Sequence, residues 1–463
     1  MNTTANPPES ISSKEQILNR FRSRVHGPVG PQSAAAWPML PELPGSLPVI
    51  ERNDGFEVQG PVLWSHEPAA QSNITRTAHI VRYWDGYNHE SWGRMPETIP
   101  GYGASQCALA NALLADVEHP YNWVEFSKGI QALHLRKGNR FGAAFNEVGE
   151  QLQRQGVRTH RLGLACVSGA GAQKERFFGD GARLSVVPWV EASWKKQTFL
   201  GRTLYQYHLP QTPDAKPVAL PFQFRFHFRL GALTSSLSDP SYFQRRGLRS
   251  SPLDPQKNLD LPFLDLWTQN ELTPRSVEWE EAIALAAQWG LDAAAFQRLC
   301  FTSIWIAGFW RQKFQAHQME LDSGILRWAQ AADGSLFLIA QPTLTELQIR
   351  DAEGPLSLAF LLKAHEGTPW LNALKQAQSW EVQPQHDLPD FSTVHAAREA
   401  VRAQWKKRVP LNPKPLNAER AQLGALLGPA VCHSLGIPGF EDAIGIAEWR
   451  KKEKALAAEK RKT

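Results

Sequence analysis

The pattern of apolar and polar positions divides the chain into segments of clear type. Residues 1–60 carry Pro, Ser and Gly in place of a sustained apolar pattern. With one helical island, SKEQILNRFRSRV (13–25), they predict a flexible arm. From about Val62 the pattern turns globular. TRTAHIVRYW (75–84) reads as a strand ended by the Asp85-Gly86 turn, MPETIPGYGASQ (95–106) as a loop, and CALANALLADV (107–117) as a helix. FNEVGEQLQRQG (145–156) is amphipathic and stops at Gly156, as a helix C-terminus does. VRTHRLGLACV (157–167) resumes as a strand, SGAGAQKERFFGDGA (168–182) reads as flexible, and RLSVVPWVEA (183–192) as extended.

The second half is more strongly patterned. After the Pro-bearing linker LPQTPDAKP (209–217), the apolar run PVALPFQFRFHF (217–228) leads into Arg229 and a small-residue turn, GALTSS (231–236). LPFLDLWTQNE (261–271) follows as a strand. SVEWEEAIALAAQWG (276–290) and the aromatic stretch 292–318 predict two helices, Gly290 ending the first and Asp292 capping the second. LDSGILRWAQAADGSLFLIAQ (321–341) reads as a hairpin of two apolar strands turning across Ala332, Asp333 and Gly334. STVHAAREAVRAQWKKRV (392–409) predicts a further helix, NPKPLN (412–417) a linker, and the remainder a small helical extension. The expected organisation is an arm (1–60), two lobes (61–215 and 216–409) and an extension (410–463).

At 463 residues the chain is too long for one compact core, which agrees with two lobes. The 17 tryptophans point to a large aromatic core. The net charge of +5 is mostly local: residues 448–463 hold seven Lys/Arg against three Glu, and the body is near neutral. A broad nucleic-acid footprint is therefore not expected, although the basic tail could touch one. Cys107, Cys166, Cys300 and Cys432 form no CxxC pair, which excludes the common zinc spacings and a disulfide framework. Cys300, in an apolar run, reads as a buried small hydrophobe. The first residues lack the apolar core of a signal peptide, and no apolar run is long enough to span a bilayer. The expectation is a cytoplasmic protein with no membrane partner.

The order of these segments resembles SAICAR synthetase, the phosphoribosylaminoimidazole-succinocarboxamide synthase family. IPGYG (99–103) is similar to the family's Ile-Pro-Gly-Lys-Gly loop, and QGVRTH (155–160) to its helix end and Thr-His strand. PVALPFQFRFHFRLGALTSS (217–236) resembles the strand that delivers a substrate-binding Arg into a Gly-Ser turn. LPFLDLWTQNE (261–271) resembles its Pro-Phe strand and acidic segment, 321–346 its carboxylate hairpin, and LPDFSTVHAAREAVRAQW (388–405) its closing helix. The resemblance covers about 62–408. It implies an α+β fold related to ATP-grasp, with two lobes of antiparallel-rich sheet covered by helices around a central cleft. It also implies an ATP- and Mg²⁺-dependent ligase joining aspartate to a carboxylated aminoimidazole ribonucleotide. The implied partners are a phosphorylated nucleotide and an amino acid, with an oligomer open.

Carried over by position, the resemblance puts Arg229 and Ser235 on substrate and Asp322 on metal as the catalytic carboxylate. Asp85 would be an acid at the nucleotide, and Arg245 and Arg246 could clamp a phosphate. Strand-end, turn and surface-loop roles compete with each of these assignments. Thr159 and His160 match pattern positions without an evident chemical duty. Lys174, in SGAGAQK, lacks the second half of a phosphate loop, and His89-Glu90 lacks a metal partner at helical spacing. The chain departs from the family pattern where charge is expected. Tyr102, Thr268 and Gly324 stand at its lysine positions, Ala340 and Gln341 at its Asp-Glu pair, and WSHE (64–67) lacks its first lysine. Each missing central charge removes on the order of 2–4 kcal/mol of transition-state stabilisation. The alternative expectation is therefore a relative that binds a nucleotide or protein partner without ligating.

Overall fold

A computed structural model describes residues 49–51, 56–65, 75–83, 86–89, 93–98, 102–137, 142–165, 183–187, 189–199, 202–209, 216–229, 258–269, 275–357, 368–369, 371–372 and 418–459. In chain order these form β1 (Val49–Glu51), β2 (Phe56–Ser65), β3 (Thr75–Tyr83), β4 (Gly86–His89), β5 (Gly93–Thr98), α1 (Tyr102–Glu118), α2 (Pro120–Lys137) and α3 (Gly142–Gln155). Then come β6 (Arg161–Ala165), β7 (Arg183–Val186), β8 (Ser193–Phe199), β9 (Arg202–His208), β10 (Val218–Arg229) and β11 (Asn258–Thr268). They continue with α4 (Trp279–Gln288), α5 (Ala293–Ala316), β12 (Glu320–Gln330), β13 (Leu336–Leu338), β14 (Leu347–Asp351), β15 (Gly354–Pro355), α6 (Ala418–Ser434) and α7 (Ile446–Glu459).

The fold is α+β. One sheet has the order β1-β2-β3-β7-β6 and the other β11-β10-β12-β14-β15, with β13 on the far end of β12. Every strand pair in both is antiparallel. β4–β5 and β8–β9 are separate ribbons. The first strand begins at Val49, inside the stretch read as an arm. The expected helix at 392–409 lies outside the described residues.

Strand β10 carries the second sheet. Its FQFRFHFR sequence alternates strictly, so one face presents Phe222, Phe224, Phe226 and Phe228, all fully buried. These pack towards α5, where Phe296 lies 5.2 Å from the Phe222 ring and 6.1 Å from that of Phe224. Asp292 caps α5 as expected, accepting from the Ala295 amide at 2.7 Å. Gly290, at φ 89°, ends α4, and Gly334, at φ 82°, makes the β12–β13 turn.

One contiguous cluster of buried apolar side chains runs through both sheets' helices and reaches the C-terminal pair α6–α7. Tryptophan builds much of it. The buried indole N–H groups of Trp123, Trp289, Trp305, Trp310, Trp328 and Trp449 each donate to an oxygen, at 2.8–3.2 Å. Cys107, Cys300 and Cys432 are free and buried, and burial raises each thiol's pKa.

Two sequence expectations are corrected here. The stretch 95–106, expected as a loop, contributes to β5 and then begins α1 at Tyr102, five residues early. Tertiary packing overrides the weak helix preference of Gly-Ala-Ser: residues 102–110 are all buried, and Ser105 Oγ donates to the Tyr102 carbonyl at 2.7 Å. The helix α6 approaches so closely that a Cβ on Gly428 would lie 2.0 Å from Ser105 Oγ. The strand expected from Val157 starts only at Arg161, because residues 158–160 pair with the hairpin instead. Leu338 N donates to Arg158 O, and His160 N to Leu338 O, both at 2.9 Å.

Candidate functional site

Arg229 ends β10, and Asp322 is the third residue of β12, its neighbour. Both stand where strand register breaks. Leu321 pairs with Ile349 and Ser323 with Gln348, so Asp322 is the extra residue of a bulge. On the other side, His227 pairs with Phe263 but Arg229 with Asn258. Bulges re-aim side chains, and they cluster beside functional sites. Here they bring Arg229 Nη1 to 4.0 Å from Asp322 Oδ2, both side chains about four-fifths buried. Burial raises the Asp322 carboxyl from the usual 3.8 to about 6. Arg229 and Arg311 oppose that rise, and Glu320 adds to it. Arg311, from α5, lies 4.6 Å over the Phe228 ring and 3.4 Å from Glu320. The result is a carboxyl that titrates well above its usual value, with two guanidinium groups near it at one end of the sheet.

The same face of β10 continues as Arg225 and His227, both missed in the sequence; period-two alternation through FQFRFHFR would have found them. Arg225 lies 4.2 Å over Trp267 and donates to Gln223 at 2.8 Å. Trp267 Nε1 donates to the wholly buried Asp265 at 2.6 Å. His227 is buried beside this group, and among the described residues neither ring nitrogen has a hydrogen-bond partner. Burial lowers its pKa to about 4, with Asp265 opposing and Arg225 adding.

Of the other expected residues, Ser235, Arg245, Arg246, Asp85, Lys174 and Glu90 lie outside the described residues. Thr159 and His160 have structural duties. Thr159 donates to Glu118, which also pairs with Arg161. His160 Nδ1 donates to the Leu338 carbonyl at 2.9 Å, so Nε2 accepts from the Gln341 amide at 3.0 Å. Burial lowers this imidazole's pKa to about 4, and it stays neutral.

Of the positions that depart from the family pattern, Tyr102, Thr268, Gly324, Ala340 and Gln341 are packed. Tyr102 is buried, within 3.3 Å of Thr345 Oγ1, and burial raises its hydroxyl pKa. Thr268 is buried and accepts from the Arg275 amide at 3.1 Å. Ala340 is buried without exposure, and a Cβ on Gly324 would meet Phe226 at 2.4 Å. Among the described residues no three His, Cys, Asp or Glu side chains group as a metal site. Asp322, its charge offset by Arg229 and Arg311, belongs to no such group. Among the described residues no helix is long and apolar enough to cross a membrane.

No family model and no curated protein matches the chain. Solved structures of SAICAR synthetases are distantly similar in fold. The Saccharomyces cerevisiae enzyme complexed with SAICAR is 11% identical, with a TM-score of 0.43, covering 85% of this chain and 96% of its own. That from Pyrococcus horikoshii OT3 is 13% identical, at 0.34, covering 73% and 99%. That from Ehrlichia chaffeensis is 10% identical, at 0.36, covering 73% and 100%. Likenesses this remote say nothing of this chain's chemistry.

Proposed function

We propose that the Arg229–Asp322 end of the second sheet binds the anionic group of a phosphorylated, carboxylate-bearing small molecule. The reaction that the sequence resemblance implies there is ATP-dependent ligation of an amine to that carboxylate. The observation that supports this reading is the meeting of Arg229 and Asp322 at two register breaks of adjacent strands. A guanidinium in that position grips a phosphate or carboxylate through paired N–H donors. A carboxyl held near pKa 6 exchanges a proton with a bound anion at neutral pH.

One observation favours a second reading, binding without ligation. At Tyr102, Thr268, Gly324 and Ala340 the space for phosphate-binding cations and metal carboxylates is filled by buried, packed groups. The described residues thus supply the anion grip and no magnesium cage.

Calorimetry of the full chain with ATP and with AMP, each with and without Mg²⁺, separates the readings. Binding that depends on Mg²⁺ and is lost in Asp322→Ala supports the ligase. Binding of both nucleotides without metal dependence, weakened tenfold or more in Arg229→Gln, supports the second reading. No heat from either nucleotide at millimolar concentration overturns both.

A further inference from the structure

We draw no further inference here: the strongest candidate, the buried imidazole of His227 on the polar face of β10, has neither ring nitrogen hydrogen-bonded among the described residues, but both nitrogens are sealed from solvent and nothing in the structure shows what covers them.

Discussion

At the scale of the residue, Asp322 carries the clearest consequence. Its carboxyl is raised from 3.8 to about 6 because burial disfavours the charge more than Arg229 and Arg311 favour it. Between about pH 4 and 6 the folded chain therefore binds more protons at this site than the unfolded chain does. Its contribution to stability falls as pH rises through that window. Asp322→Asn removes the titration. The melting temperature of the variant should match the parent near pH 4 and exceed it at pH 7.5. Scanning calorimetry across that range checks this; a gap independent of pH would show that Asp322 is not the group responsible. An acid opening a hairpin and an arginine ending an apolar run carry local signals, so Asp322 and Arg229 stand out in the sequence. Their meeting at two register breaks does not, because it depends on which strands become neighbours.

At the scale of the element, α7 changes the meaning of the basic tail. Read as a solvated helix end, it holds Arg450 buried. Arg450 Nε and Nη2 donate to the Asp351 carboxylate at 2.8 and 2.9 Å, Nη1 donates to Glu453 at 2.6 Å, and Nη2 also reaches the carbonyls of Gly354 and Pro355 at 2.8 and 3.0 Å. Asp351 is held below the usual carboxylate range, burial being outweighed by these bonds and two backbone amides. Arg450→Met strands that carboxylate and two carbonyls. Breaking a buried pair by removing one partner costs about 3–5 kcal/mol, and chemical denaturation of the full chain should show a loss near the lower figure. A loss below ~0.5 kcal/mol, the level of an ordinary surface change, would mean that the clamp is not formed in solution. The finding also reshapes any test of nucleic-acid binding through the tail. Deleting 448–463 would remove Trp449 and Arg450 from the packed structure, so charge is better removed at the exposed Lys451 and Lys452.

At the scale of the whole molecule, the C-terminal pair is part of the main core and not an appendage. Leu423, Leu427, Val431 and Trp449 belong to the cluster that also holds α1, α5 and the Phe face of β10. A chain ending at residue 417 would expose the side of α1 on which Gly428 sits against Ser105. Such a chain is expected to bind a hydrophobic dye and to lose the sharp melting of the full chain. Sharp two-state melting of the shortened chain would show instead that α6 and α7 dock without supporting the core.

By itself the sequence determined what depends on near neighbours. The helix caps at Gly156, Gly290 and Asp292, the turn at Gly334 and the strand at 217–228 are set by backbone sterics, local hydrogen bonds and apolar period. Only the tertiary structure decided the rest. It drew α1 out to Tyr102 by burying a weak helix former against α6, and it used residues 158–160 to tie the hairpin to the first sheet. It also placed Asp322 in a bulge, beside Arg229 of the neighbouring strand. These outcomes follow from contacts between residues far apart in the chain, whose energies depend on burial and register that no local window contains.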